Sequence, residues 1–231
     1  MKKFELTAES VVSFGRTLYR IRALMSFGSV EAGELGGFVE TEANLSQVRG
    51  DAWVFGGARV FGGARVSDNA QVRGGAWVFG DARVSDTARV FGDAWVFGDA
   101  RVFDNARVSD NAQVRGDAWV FGDARVFGGA RVSDNAWVFG DAQVSDNARV
   151  SDNARVFGGA GVFGDAQVSK TPVLVSGVQY LVTVSDKHLA AGCEIATFAE
   201  WRGARGDEIA AKHDAQDFLV TIRVLLDMLQ P

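Results

Sequence analysis

The 231-residue chain holds one cysteine, two prolines and two histidines, and carries a net charge of −5. A single cysteine, Cys193, excludes an intramolecular disulfide framework and fits a reducing compartment, so a cytoplasmic location is expected. Two histidines cannot supply the three-histidine ligand set of a carbonic-anhydrase-like zinc site. No apolar stretch reaches the ~18 residues a membrane-spanning helix needs. Met1-Lys2-Lys3-Phe4-Glu5 is not followed by an apolar run, so no signal peptide is expected. The acidic balance lacks the basic excess of a general nucleic-acid binder. Scarcity of proline and of disorder-type tracts points to an ordered chain.

What the sequence does have is a period. Twenty consecutive hexads, residues 52–171, read Ala-x-Val-x-x-x without exception at either fixed position, from Ala52 and Val54 to Ala166 and Val168. Residues two apart in an extended chain share one side, so Ala and Val face inward and the residue between them faces out. The last two positions are Gly-Asp, Gly-Gly, Asp-Asn or similar, residues that accept turn and left-handed backbone conformations closed to valine. Each hexad is therefore a very short strand followed by a corner. A helix is excluded, because a period of six does not follow the 3.6-residue helical repeat and Gly with Val lowers helix propensity. Three hexads make one triangular turn. With Ser46–Asp51, which is in phase, the repeat spans 46–171 and gives about seven turns, a rod of roughly 33 Å. The expected fold class is an all-β solenoid, a three-sided parallel β-helix.

The recurring Val-Phe-Gly-Asp-Ala-Arg resembles the signature of the hexapeptide-repeat left-handed parallel β-helix superfamily, an aliphatic residue followed four positions later by a small one. The resemblance covers residues 46–171 and implies a left-handed coil; the spacing alone leaves the hand open. Phe, Ser or Arg stands directly after the aliphatic residue, where that family often has Gly. The flanks are similar to those of uncharacterised phage and prophage hexapeptide-repeat proteins.

An open β-stack exposes hydrogen-bonding edges and needs caps. Residues 1–45 form the expected N-terminal cap: Arg16–Leu24 alternates as a strand, and Gly33–Val39 reads as a turn and a strand. Leu45 lies one and a half hexads before Val54, off the period, so the register shifts there. Residues 172–231 form the expected C-terminal cap, a small α/β unit. Val173–Val184 reads as strands about a turn at Ser176-Gly177, and Thr197-Phe198-Ala199-Glu200 is a capping-box pattern. Asp214 is expected to cap an amphipathic helix carrying Phe218, Ile222, Leu225, Leu226 and Leu229. That helix either closes the last coil or binds a partner.

Outward residues three hexads apart stack on common faces. One face runs Arg59, Trp77, Trp95, Gln113, Arg131, Arg149, Gln167; another Arg65, Arg83, Arg101, Trp119, Trp137, Arg155; the third Trp53, Gln71, Arg89, Arg107, Arg125, Gln143, Gly161. Phe61, Phe79 and Phe97 line one corner, and Phe103, Phe121, Phe139 and Phe157 another. Such residues serve either as ladders, with aromatics stacking and arginine heads meeting corner aspartates, or as interface anchors. The candidate partner-binding residues are Trp77, Trp95, Trp119, Trp137, Phe103, Phe121, Phe139, Arg83 and Arg101. Gln71-Val72-Arg73-Gly74 recurs seven hexads on as Gln113-Val114-Arg115-Gly116; seven is not a multiple of three, so the copied motif moves to a different face.

Catalytic readings find little support in the residues. Acyl transfer, common in hexapeptide-repeat proteins, needs a general base, and the repeat contains no histidine. His188, Cys193 and His213 match no zinc-ligand spacing, and Cys193 lacks an orienting triad. No catalytic, cofactor or metal site is expected. The calcium β-roll repeat is a nonapeptide, not a hexapeptide. The expected function is a non-enzymatic scaffold or protein-binding solenoid, self-associating or phage-encoded, with a protein or a second copy as partner and no membrane or nucleic acid. The alternatives are a diverged acyltransferase using acyl-CoA and a nucleic-acid-mimicking inhibitor.

Overall fold

The computed structural model describes residues 2–48 and 50–229. Twenty very short strands, from Trp53–Val54 to Gln167–Val168, pair in parallel with the strands three hexads before and after them. They build three sheets, one per face, in about seven coils. The faces hold the residues that the period assigns to them, as the pairings Trp77↔Trp95, Trp119↔Trp137 and Arg89↔Arg107 show. Ala94 and Val96 are fully buried, as are nearly all their equivalents, in one continuous core. Each coil bonds to the next through its backbone: the Trp77 amide donates to the Ala94 carbonyl at 2.9 Å and the Phe79 amide to the Val96 carbonyl at 3.0 Å.

The corners explain the sequence at the fifth hexad position. That residue has a positive φ throughout residues 52–165, near 55–75°, and is glycine or aspartate. A turn with positive φ at its first central residue closes there, as where the Ala58 amide donates to the Phe55 carbonyl at 3.1 Å. Aspartate stands this conformation better than most residues with a Cβ. It also has a task. Asp104 Oδ2 accepts from the Gly122 amide at 3.1 Å, Asp110 from Gly128 at 3.1 Å, and Asp146 from Gly164 at 3.0 Å. A carboxylate at one corner thus satisfies the amide of the corner one coil on. The serine before most of these aspartates donates its hydroxyl to the same carboxylate, as Ser133 does to Asp134 at 2.8 Å.

The N-terminal end is closed by strands and by side chains. β1 (Phe4–Ser13) and β2 (Arg16–Ala23) form a hairpin, β2 pairs with β3 (Leu35–Val39), and β3 joins the solenoid in parallel, Val39↔Val60. On the other two faces side chains help to replace the missing coil, beside the Leu45–Val66 bridge. Asn44 donates to the carbonyls of Gly62 and Ala64, both at 2.9 Å, and Lys3 Nζ donates to those of Gly50 (2.9 Å) and Ala52 (2.8 Å). Lys3 is buried, and loss of hydration lowers its pKa to about 8 against the opposing pull of Asp51.

Ser46–Asp51 does not form a coil. Val48 is 72% exposed, and it is Leu45, bridged to Val66, that takes the inward place. Leu45 thus fills the place opposite Val66 that the period would give to Val48; Arg49 lies outside the described residues.

At the other end, antiparallel strands Val173–Val175, Val182–Val184, His188–Ala191 and Glu194–Thr197 form a separate sheet. It is followed by α1 (Phe198–Arg202), α2 (Ala204–Lys212) and α3 (Gln216–Leu229). Thr197 and Glu200 make the expected capping box, which holds the Glu200 carboxyl below its ordinary range. Asp214 takes a left-handed turn conformation between α2 and α3 (φ 48°), just ahead of α3. Phe218, Ile222 and Leu226 pack into the unit's own core, while Leu225 and Leu229 are not among its buried residues. Leu174 and Ile195 lie against the end of the solenoid core, so it is the sheet, and not α3, that seals the last coil. Among the described residues no helix is long and apolar enough to cross a membrane.

Candidate functional site

Two aromatic ladders run along the rod. In the first, Phe61, Phe79 and Phe97 stack at 5.1 and 4.9 Å, Trp77 and Trp95 stack at 5.4 Å, and the two columns meet edge to face. In the second, Phe103, Phe121 and Phe139 stack at 4.9 Å and Phe157 follows at 5.5 Å. Trp119 and Trp137 stack beside them at 5.0 Å and 5°. Parallel in-register strands dictate this, because identical residues three hexads apart lie one strand spacing from each other.

The two ladders differ in what covers them. The β1–β2 hairpin turns at Phe14-Gly15 and lays Phe14 between the columns of the first, 5.2 Å from Trp77 and 6.0 Å from Phe79. Phe14 itself has φ 49°, a conformation that bulky residues seldom adopt, and it is held there by four aromatic neighbours. Trp77 and Trp95, proposed from sequence as one docking patch, are thus already engaged by the chain itself. A Gly-containing tight loop between alternating segments was the available signal; where its tip would land was not. Trp53, on the third face, is fully buried beneath Phe4 and Phe27 rather than outward in solvent, because the N-terminal cap lies over it.

Among the described residues none lies over the second ladder in the same way. Its tryptophans are half-buried, with Arg101 over Trp119 at 4.8 Å and Arg155 over Trp137 at 4.7 Å. The ring faces are therefore occupied along the rod axis, and the surface presents ring edges and guanidinium heads. Alongside runs a shallow groove of about 500 Å³ flanked by Asp81, Asp99, Asp117, Asn135 and Asn153. Arg83 and Arg101 line it, so the candidate residues Arg83, Arg101, Trp119 and Trp137 come together, with Phe103, Phe121 and Phe139 in the adjoining column.

The arginines of the coils do not meet corner aspartates. Every ion pair among the described residues lies in the terminal units. Aspartates at the fifth position turn to backbone amides instead, and some of the arginines lie over ring faces, Arg59 on Trp77 at 4.9 Å and Arg73 on Phe55 at 4.3 Å besides Arg101 and Arg155. Each such contact contributes about 0.5–1 kcal/mol at an exposed site.

Four segments of the coils, residues 100–116, 130–146, 142–156 and 148–169, match a family model described as YdcK beta solenoid repeat. The chain is a β-solenoid repeat protein. The matched segments include Arg101, Phe103, Trp137, Phe139 and Arg155 of the open ladder and leave out Trp119 and Phe121. None of the curated proteins compared with the chain matches it.

In the C-terminal unit the fold gathers a second group of functional side chains. Cys193 and Glu194 follow the tight turn at Gly192, and His213 ends α2; one ligand atom from each lies within 4.8 Å of the others. Glu194 Oε1 is 2.6 Å from Lys212 Nζ and 2.8 Å from His213 Nε2, and these partners, Lys212 first, hold its carboxyl below the ordinary range. His188, considered with Cys193 and His213 in the sequence, is not part of this group; its Nδ1 is buried without a partner.

Proposed function

We propose that this β-solenoid is a rigid, non-enzymatic scaffold whose second ladder docks another protein or a second copy of the chain. The reading rests on one contrast: Phe14 fills the notch between the Trp77/Trp95 and Phe79 columns, whereas the equivalent notch at Trp119, Trp137 and Phe121 is open among the described residues. Phe14 also supplies the mode of recognition, an aromatic side chain at a turn inserted edge-on between the two columns. Arg101, Arg155 and the acidic and amide row then select a partner of mixed charge. The coils run through residues 52–168 on tight corners with no inserted loop, and the repeat carries no histidine to act as a general base, which favours a scaffold over an acyltransferase. We read the hexads as those of the hexapeptide-repeat superfamily, and the flanks as those of a phage or prophage protein.

Affinity capture from the native host with wild-type protein and with the Trp119→Ala/Trp137→Ala variant tests this reading, together with sedimentation over a range of concentrations. The expected result is a partner or a dimer that the double variant loses. A monodisperse monomer whose Trp119 and Trp137 are freely quenched and which captures nothing would overturn it. Saturable binding of acetyl-CoA would favour acyl transfer instead.

A further inference from the structure

We propose that Cys193, Glu194 and His213 form a binding site for one divalent transition-metal ion, with zinc the best match, that ties the Gly192 turn to the end of α2. The donor set is a thiolate, a carboxylate and an imidazole, the mixture of soft and borderline ligands that zinc and cobalt take and that magnesium and calcium do not. The three donor atoms already lie within 4.8 Å of one another. Tetrahedral ligands at ~2.0–2.3 Å from an ion stand roughly 3.3–3.8 Å apart, so small side-chain rotations suffice. Cys193 ends the Gly192 turn, Glu194 opens the strand that follows, and His213 stands at the far end of a helix, so the ion would cross-link elements that otherwise meet through the contacts of Glu194 with Lys212 and His213 and the apolar core. Three protein ligands leave a fourth position for water.

The surroundings favour the ion. Glu194 and His213, both partly buried, and the exposed Cys193 edge a small cleft whose walls are Tyr180, Trp201, Ile209 and Phe218, an apolar side that strengthens bonds between an ion and the two partly buried ligands. Lys212 competes, because its ammonium stands at the carboxylate oxygen that the ion would use. Its side chain is 67% exposed and free to swing into solvent when the ion enters. The sequence hides the site, since Cys193 and Glu194 are adjacent and His213 follows only after a strand and two helices, a spacing outside the paired motifs of zinc proteins.

The test is a titration of untagged, chelator-treated full-length protein with cobalt(II), followed by absorption and by competition with zinc. The expected result is one cobalt per chain, ligand-field bands of a tetrahedral ion, and a thiolate-to-cobalt charge-transfer band. Cys193→Ser should lose the charge-transfer band, His213→Ala should lose saturable binding, and His188→Ala should match wild type. Lys212→Met should tighten binding by removing the competing charge. Circular dichroism of each variant confirms that it is folded. Absence of saturable binding in wild type, or a charge-transfer band that survives in Cys193→Ser, would overturn the assignment.

Discussion

The carboxylate of Asp104 accepts a hydrogen bond from the amide of Gly122 at 3.1 Å, across three hexads of chain and one coil of the stack. This bond links two constraints that look separate in the sequence, since one residue both adopts a left-handed backbone and supplies an acceptor to its neighbour above. Replacement by glycine keeps the first property and loses the second; alanine loses both. Asp104→Gly is expected to cost up to about 1 kcal/mol for the exposed hydrogen bond, and Asp104→Ala about 1–2 kcal/mol more for the backbone strain. Urea denaturation of the two variants beside wild type measures this, and equal midpoints for the two would refute the dual role.

Gly122 gives the reciprocal case. A Cβ there would stand 2.9 Å from the Gly140 amide nitrogen, at φ +69°. Gly122→Val should therefore destabilise the coil by more than Gly122→Asp, because aspartate tolerates this conformation at equivalent corners and valine is confined by its branched Cβ. Thermal melts of both variants decide it; a valine variant as stable as the aspartate one would contradict the corner geometry.

Val96 is fully buried between Val78 and Val114 in the stack. Val96→Asp places a carboxylate among methyl groups with no partner, at a cost of about 3 kcal/mol or more. Limited proteolysis should then cut near this coil, and protection equal to wild type would mean that the site is wetter than the packing implies.

Phe14 lies over part of the first ladder, in a strained turn. In a background with Trp119 and Trp137 replaced by phenylalanine, Phe14→Ala should raise acrylamide quenching of Trp77 and Trp95, while Trp53 and Trp201 stay buried. Unchanged quenching would show that the hairpin tip is not held over the ladder in solution.

Lys3 titrates near 8 in the folded chain and at 10.5 when unfolded. Below about pH 8 both states hold the proton. Between the two values the unfolded chain binds a proton that the folded chain has released, so this residue adds stability as pH rises through that window. The stability difference between wild type and Lys3→Met should shift in favour of wild type from about pH 7 to about pH 10. Effects of other titrating groups are common to both proteins and cancel. A gap that does not change with pH would mean that Lys3 keeps its charge hydrated.

The coils were legible because their determinants are local and repeated. The alternation of Ala94 and Val96 fixes the inward side, the period of three hexads fixes which residues stack, and Gly or Asp at the corner fixes the turn. What escaped depends on where one part of the chain falls on another. Trp53 obeys the outward pattern and is buried because Phe4 and Phe27 cover it. Val48 keeps the phase and is exposed because Leu45, bridged to Val66, already holds the inward place on that face. Arg101 has aspartates nearby in the coil sequence but stacks on Trp119, a ring face that parallel pairing brings within reach. The open ladder was legible residue by residue. Its difference from the partly covered one was not, because Phe14 reaches Trp77 from a hairpin far back in the N-terminal cap. The convergence of Cys193 and His213 likewise depends on α2, a helix with no cap side chain to announce it.

Tight corners without insertions have a consequence for how such a rod changes over generations. Gain or loss of three hexads would alter its length by one stacking step, 4.9 Å between Phe103 and Phe121, and leave every face continuous. Gain or loss of a single hexad would rotate all that follows by a third of a revolution, and an event between Trp119 and Trp137 would part the two rings while the methyl-lined interior stayed intact. Reach and surface pattern are thus inherited separately in this molecule, the first in multiples of three hexads and the second in single ones.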